Sequence, residues 1–366
     1  MSKLDELIAE LCPHGVEYVK LGDVIKLEKG KQLNKEFLTE QGKYPAYNGG
    51  VTHSGFTDKY NYDENKIIIS QGGASAGFVN FVKTKFWANA HCYVVLPIEH
   101  YINNRYAYHF IKSKQTKLMD KQHGAGIPAL RSSEINNLKI PLPPLPVQQE
   151  IVRILDNFTE LTAELTAELT AELTARRKQY EYYRDLLLTF GDDVSWCNLD
   201  EILKIRNGKD YKSFNIGNIP VYGSGGIMTY IDTYAYDKPS VLIPRKGSID
   251  KLYYVEKPFW TVDTIFYTEI YTSKVIPKYV FYCLQKERLE QYNTAGGVPS
   301  LTQTVLNKVK IPVPPLEEQE RIVAILDRFD ALCNDLTSGI PAEIEARQKQ
   351  YEYYRDKLLS FKEVTA

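Results

Sequence analysis

The sequence predicts an α+β protein made of two similar mixed α/β domains, each followed by a long helix. Three observations predict it. A duplication repeats at a step of 171 residues, short β-rich segments are punctuated by glycines, and two stretches of helical apolar periodicity follow double prolines. The 366 residues suffice for two or three domains, and 43% hydrophobic with 25% charged residues can form sizeable cores. That composition excludes a disordered, collagen-like or disulfide-stapled chain. Lys and Arg number 45 against 46 Asp and Glu, and a net charge of -1 argues, over the whole chain, against a nucleic-acid protein.

The segment from Met1 to Leu11 mixes Lys3, Asp5, Glu6 and Glu10 with leucines at helical spacing. It predicts a short N-terminal helix and lacks the uninterrupted apolar core of a signal peptide. No stretch approaches the ~20 apolar residues of a membrane span. Cys12, Cys92, Cys197, Cys283 and Cys333 are odd in number and widely spaced, which favours reduced thiols in a cytoplasm over a disulfide framework or a zinc knuckle.

The duplication fixes the organisation. Ile140-Pro141-Leu142-Pro143-Pro144-Leu145 returns as Ile311-Pro312-Val313-Pro314-Pro315-Leu316. Gln148, Ile151, Leu155, Asp156 and Phe158 return as Gln319, Ile322, Leu326, Asp327 and Phe329, and Lys178 to Asp185 as Lys349 to Asp356, without a gap. Upstream the match is looser. Gly30-Lys31 corresponds to Gly208-Lys209, Gly49-Gly50 to Gly225-Gly226, Phe86-Trp87 to Phe259-Trp260, and Gly126 to Leu130 to Gly297 to Leu301. The boundaries that follow are 1–140 for the first domain, 141–190 for a central helix, 191–311 for the second domain and 312–366 for a C-terminal helix.

In order along each domain, Val16 to Glu28 and Val194 to Arg206 predict strand–helix–strand openings. Ile67 to Val82 and Val241 to Val255 predict strand–turn–strand units, and Tyr106 to Lys121 and Tyr279 to Tyr292 carry helical periodicity. Pro143-Pro144 and Pro314-Pro315 block any helix upstream of the two helical segments. A helix from about Val147 to Phe190 would be roughly 65 Å long, and such a length without a globular face requires a partner helix. The second copy supplies one, with Gly339 and Pro341 expected to kink or interrupt it.

Between Thr162 and Leu173 the tetrad Thr-Ala-Glu-Leu occurs three times without error. Leu161, Leu165, Leu169 and Leu173, with Leu332 and Leu336 in the second copy, are the expected packing stripe of the helical pair. Helix propensity alone explains the composition but not the repetition. Each tetrad adds ~6 Å and turns the helix about 40° beyond a full turn, which suits an adjustable spacer.

Catalytic motifs are missing. There is no Gly-x-x-x-x-Gly-Lys-Ser/Thr phosphate loop, and the double prolines lack the preceding Asn or Asp of an amino-methyltransferase. Gln71 to Gly77 leads into another strand pattern, so a hairpin turn fits better than a cofactor loop. His53, His91, His109 and His123 are scattered, and neither a metal set nor a catalytic triad can be assigned.

Two globular units, each followed by Ile-Pro-x-Pro-Pro-Leu, a Gln and Ile-x-x-Ile-Leu-Asp run and the Gln-Tyr-Glu-Tyr-Tyr-Arg-Asp block, with Thr-Ala-Glu-Leu tetrads between them, resemble the specificity subunit of type I restriction–modification enzymes. The resemblance implies two pseudo-symmetric target-recognition domains joined by two long antiparallel helices, each domain reading one half of a bipartite DNA site. It implies that the helices set the spacer and dock two modification subunits, which would carry S-adenosylmethionine and flip an adenine out for methylation. Restriction subunits would add ATP- and Mg-dependent translocation and cleavage, leaving this chain non-catalytic, with no cofactor or metal of its own.

Under that resemblance, polar loop residues at matching places become DNA-binding candidates: Lys31, Gln32, Asn34, Asn48, His53, Gln71, Ser75 and His91 in the first domain. Lys209, Tyr211, Lys212, Ser224, Arg245, Lys246 and Asp263 are those of the second. Lys and Arg suit phosphate or guanine, Asn and Gln adenine. The 27 tyrosines have two readings, base stacking or strand formation. In the repeated block they fall at helical spacing, and Tyr180, Tyr183, Arg184, Tyr351, Tyr354 and Arg355 are the candidate partner-subunit contacts. A coiled-coil scaffold presenting two protein- or sugar-binding domains is the rival reading. Charge segregates by segment, +4 over 1–140 and +2 over 191–311 against -3 over 141–190 and -4 over 312–366. Mildly basic domains on acidic helices fit DNA on one side and protein on the other, within a larger assembly.

Overall fold

The computed structural model describes residues 2–123, 128–191, 193–293, 296–334 and 339–364. The chain forms two compact units, Met1–Ala167 together with Ile344–Ala366, and Glu168–Glu343.

In the first unit, helix α1 (Lys3–Leu11) starts from a capping box in which the Asp5 N–H donates to Ser2 Oγ (3.2 Å) and the Ser2 N–H to Asp5 Oδ2 (2.9 Å). Then follow β1 (Tyr18–Lys20), α2 (Leu21–Val24), β2 (Ile25–Lys29), β3 (Tyr44–Tyr47), β4 (Gly55–Thr57), β5 (Lys66–Ser70), β6 (Val79–Val82), β7 (Trp87–Ala88) and β8 (Cys92–Pro97). Helices α3 (Asn104–Ser113), α4 (Gln115–Met119) and α5 (Ser132–Asn136) precede β9 (Lys139–Pro141) and the long α6 (Leu145–Leu187). An antiparallel sheet in the order β2-β8-β5-β6 lies beside a three-stranded sheet β4-β3-β7, in which β3 and β7 run parallel, and β1 pairs β9. Ile67, Ile69, Val79 and Val95 of the sheet pack with Tyr106, Phe110 and Ile111 of α3 and with Val147, Ile151 and Leu155 of α6.

The second unit repeats this plan. Its elements are β10 (Trp196–Asn198), α7 (Leu199–Ile202), β11 (Leu203–Asn207), β12 (Ile216–Gly223), β13 (Gly226–Ile231), β14 (Ser240–Pro244), β15 (Tyr253–Val255), β16 (Trp260–Thr261) and β17 (Ile265–Ile270). Helices α8 (Pro277–Lys286) and α9 (Gln303–Leu306), strand β18 (Lys310–Pro312) and helix α10 (Leu316–Asn334) complete it, while α11 (Ile340–Leu358) falls mostly in the first unit. The sheets are β11-β17-β14-β15, β13-β12-β16 and β10-β18. The expected strand–helix–strand openings, hairpins and helical segments all appear, and α10 ends before Gly339 and Pro341.

Each unit takes the tail of the other repeat. In the first, Leu358, Leu359 and Phe361 enter the core, Tyr18 Oη donates to the Phe361 carbonyl (3.0 Å) and Val16 bridges to Glu363. In the second, Leu187, Leu188 and Phe190 occupy the equivalent place. Helix α11 runs antiparallel to the head of α6 in the first unit, stacking Tyr354 on Phe158 (6.0 Å) and placing Tyr351 Oη 3.0 Å from Thr159 Oγ1. The second unit has the same stack between Tyr183 and Phe329 (5.7 Å), 171 residues away at both partners.

Two leucines depart from the expected stripe. Leu161 is 62% exposed and Leu332 39%, whereas Leu165, Leu169 and Leu173 are half-buried; Leu336 lies outside the described residues. Buried or half-buried positions on this part of α6 include Leu155, Thr159, Thr162, Leu165, Thr166, Leu169, Leu173, Arg176 and Tyr180, mostly three or four residues apart. A seam of period 3.5 and a leucine step of four coincide for only part of their course, so the leucine at 161 falls off the seam and threonines fill it.

Candidate nucleic-acid interface

The repeated sequence blocks are the seats that fix the long helices to the domains. Gln148 is fully buried; its Nε2 donates to the carbonyls of Pro143 (2.7 Å) and Tyr101 (3.0 Å), and its Oε1 accepts the Asn103 N–H (2.8 Å). Gln319 does the same with Pro314 (2.8 Å), Lys274 (3.2 Å) and the Ile276 N–H (2.9 Å). Tyr106 Oη donates to Pro141 (3.0 Å) and Tyr279 Oη to Pro312 (3.1 Å). Asp156 takes Arg105 and His109 (2.7 Å) from α3, while Asp327 takes Lys278 (3.1 Å) and Tyr282 from α8. Burial raises the Asp156 pKa, but hydrogen bonds from Arg105 and His109 outweigh it and hold the carboxyl below its usual range.

From these seats the sheets carry loops that converge in the same way in both units. In the first, the Gln71 N–H donates to the His91 carbonyl (2.8 Å), the Leu130 N–H to the Gln71 carbonyl (2.8 Å) and the Gly73 N–H to Pro128 (2.9 Å). Ser70 Oγ donates to Gly50 (3.2 Å), and Gly49, at φ +83°, leaves no room for a Cβ beside the His91 carbonyl. Asn48, Gln71 and His91 are thereby brought to one cluster, with His53 joined through its edge-on contact to Tyr47 (6.3 Å). Asn48, His53 and His91 are exposed, and Gln71 and Ser75 half-buried.

In the second unit the Arg245 N–H donates to the Thr264 carbonyl (2.8 Å), the Leu301 N–H to Arg245 (2.9 Å) and the Gly247 N–H to Pro299 (3.0 Å). The Ser224 N–H donates to Thr264 Oγ1 (3.3 Å), and the Arg245 guanidinium lies over Phe266 (5.8 Å). Ser224, Arg245 and Lys246 therefore share a cluster, with the exposed Asp263 next to Thr264. Sequence reasoning missed Thr264, the counterpart of His91, because a threonine after a strand carries no distinguishing pattern. It also missed the β12–β13 tip, where Ile227, Met228 and Tyr230 are 49%, 57% and 48% exposed.

Lys31, Gln32 and Asn34, all exposed, follow β2 on a strap tied to β7: the Lys31 N–H donates to Ala88 (2.9 Å) and Trp87 Nε1 to Lys31 (2.9 Å). Buried Asn89 braces this strap by accepting the Leu33 N–H (3.3 Å). Lys209 is held alike by Thr261 (2.8 Å) and Trp260 (2.9 Å), and Asp210 turns the chain at Tyr211 and Lys212.

On the helices, Tyr180 and Arg184 are 7% and 8% exposed. Tyr180 Oη donates to Gln285 (3.0 Å) and Arg184 pairs with Asp185 (2.8 Å), so both are committed within their own unit and cannot present themselves to a partner. Tyr183 and Tyr354 are 37% and 40% exposed, and Tyr351 and Arg355 half-buried. The most exposed aromatics of the block are Tyr182 (65%) and Tyr353 (63%), equivalent positions that helical spacing could have nominated.

Among the described residues no group of three or more His, Cys, Asp or Glu could hold a metal. Burial pushes the Cys92 thiol up to about 11 and Cys283 to about 12, which keeps both protonated and unreactive at neutral pH. The first unit presents exposed amide, imidazole and ammonium groups and the second an exposed ammonium beside the half-buried Arg245 guanidinium, all on loops braced by backbone hydrogen bonds and suited to reading polar edges and phosphates.

Fold and loops together define a duplicated recognition protein in which each unit carries polar loops on a domain seated against a long helix. The chain belongs to the family of the type I restriction modification DNA specificity domain, whose model matches residues 13–175 and 192–346. It is similar to a putative type I restriction enzyme specificity subunit of Haemophilus influenzae, 34% identical over 94% of this chain and 96% of the relative. A type I restriction enzyme specificity subunit of Escherichia coli is 31% identical over 99% and 98%. Two solved structures share the fold: the type I restriction-modification S subunit of M. genitalium (TM-score 0.53, 23% identity, 94% and 96% covered) and a structure of type I restriction–modification complex assembly and conformational transition (TM-score 0.68, 17% identity, 96% and 98% covered). Among the described residues no helix is long and apolar enough to cross a membrane.

Proposed function

We propose that this chain is the DNA sequence-recognition subunit of a type I restriction–modification complex, acting in the cytoplasm, with each unit reading one half of a bipartite site. The observation that carries this reading is the matched convergence of polar loops in the two units, Asn48, Gln71 and His91 in one and Ser224, Arg245 and Lys246 in the other, on the fold of a DNA specificity family. The helical stems set the spacer and dock two modification subunits through the faces carrying Tyr182 and Tyr353. Those subunits bring S-adenosylmethionine, and restriction subunits bring ATP and Mg; the chain contributes recognition and geometry. The family assignment disfavours the scaffold reading.

Mapping of N6-methyladenine in a host carrying the system should reveal a split motif, and labelled duplexes of that motif should bind the chain with its modification subunits. Gln71→Ala should relax one half-site and Arg245→Ala the other, each costing ~1–3 kcal/mol if it contacts a base. Equal loss at both half-sites from either substitution, or no motif, would overturn the assignment of heads to half-sites.

A further inference from the structure

Comparison of the two units exposes a cavity that one fills with its own side chain and the other leaves open. In the first unit the Asn61 carboxamide closes a two-bond ring with the backbone of Ala88: Nδ2 donates to the Ala88 carbonyl (2.9 Å) and Oδ1 accepts the Ala88 N–H (2.8 Å). Asn61 corresponds to Ala235, because their N–H groups donate to the equivalent carbonyls of Phe86 (3.1 Å) and Phe259 (2.8 Å). Ala88 corresponds to Thr261, the second residue of β7 and of β16.

With a methyl group at 235, the space holds a cavity of about 250 Å³ lined by Gly208, Tyr234, Ala235, Trp260, Thr261 and Tyr267. Thr261 is fully buried, and its Oγ1 is one of two buried side-chain atoms without a hydrogen-bond partner among the described residues. Such a group has lost its hydration without compensation until a partner arrives. The Trp260 indole is fixed by its bond to the Lys209 carbonyl, and Gly208 cannot carry a Cβ, which would lie 2.1 Å from the Val262 carbonyl. An apolar cavity of about 150 Å³ accommodates benzene, so this one has room for a substituted six-membered ring.

We propose that this cavity binds a planar group presenting a donor and an acceptor on one edge, the pattern that Asn61 presents to Ala88 in the first unit. Adenine and cytosine carry such an edge, as does nicotinamide. Two sources can supply it, a nucleobase of bound DNA turned out of the stack at a mouth flanked by Lys209, or a free heteroaromatic amide. The DNA source rests on the proposed recognition role; the free compound does not.

The test uses the full chain. Saturation-transfer NMR with nicotinamide and with 9-methyladenine should show binding to the wild type that is lost in Ala235→Asn, which supplies the missing carboxamide, and weakened in Thr261→Val. In parallel, the chain with its modification subunits is titrated with a duplex of its mapped motif. A drop of about tenfold in both variants, absent when the second half-site is scrambled, assigns the cavity to a base. Unchanged duplex affinity with free-probe binding assigns it to a small molecule. Failure of the wild-type complex to bind its motif sinks the recognition role while the free-probe arm still decides the cavity. If neither probe binds and both variants leave duplex affinity intact, the proposal is wrong; Thr261→Val, nearly isosteric, decides if Ala235→Asn does not fold.

Discussion

Replacing Gln319 with Leu should loosen the second unit at its seat on α10 without enlarging any side chain. The glutamine is fully buried, and the substitution leaves the carbonyls of Lys274 and Pro314 and the N–H of Ile276 without their partner. A buried polar group left unpaired costs ~1–3 kcal/mol, so the buried Pro314 carbonyl together with the partly buried Ile276 N–H and Lys274 carbonyl gives about 3 kcal/mol against the docked state. That is about a hundredfold rise in local opening. Hydrogen exchange read by mass spectrometry should show the rise over residues 274–286 and 316–326 and leave the first unit untouched. Gln148→Leu should mirror it around residues 101–113 and 145–155. A second readout follows from the stem's task, since a loosened seat should let the complex methylate sites with a wider range of spacers. Exchange within twofold of the wild type in both segments would refute the reasoning.

Other perturbations test other links. Removal of Thr166 to Leu169 shortens the helix by ~6 Å and turns its remainder by about 40° relative to its start. It should shorten the spacer of methylated sites while both half-sites stay the same, and an unchanged spacer would end the ruler idea. His109 is 1% exposed, and burial depresses its pKa below 6.5 despite the opposing effect of its hydrogen bond to the Asp156 carboxylate. The unfolded imidazole takes the proton more readily, so this stability is full above pH ~6.5 and is lost as pH falls through the lower folded value. Thermal melts across that window should flatten in His109→Tyr, the residue the second unit uses as Tyr282; an unaltered slope would show that His109 does not titrate there. Tyr182→Ala with Tyr353→Ala should leave the melting profile intact and weaken co-purification with modification subunits about tenfold or more, as loss of exposed aromatic anchors does. Full retention would place the docking face elsewhere.

The helical half of the fold was legible because prolines, periodicity and an ungapped repeat all act locally. The hairpins were legible for the same reason. Parallel pairing of β3 with β7 and of β12 with β16 was not, since it joins segments some forty residues apart through two residues each, too few to leave a periodic trace. The repeated Gln148 and Asp156 could be seen as repeated, but their meaning as seats depends on distant partners, the Tyr101 carbonyl for the glutamine and the Arg105 and His109 side chains of α3 for the aspartate. Tyr180 and Tyr182 show the limit at the candidate interface. Neighbours in one block, they end 7% and 65% exposed because each helix turns one toward α8 and the other outward.

The exchange of tails has a consequence for how such a chain can be rebuilt. Each repeat offers a socket filled by a tail of the same design, and the tail it carries sits in the socket of its twin. Within the first unit Val16 bridges Glu363, just beyond the tail residue Phe361 that packs on that core. Exchanging a domain with that of a relative by crossing over within the duplicated blocks should therefore leave both sockets filled.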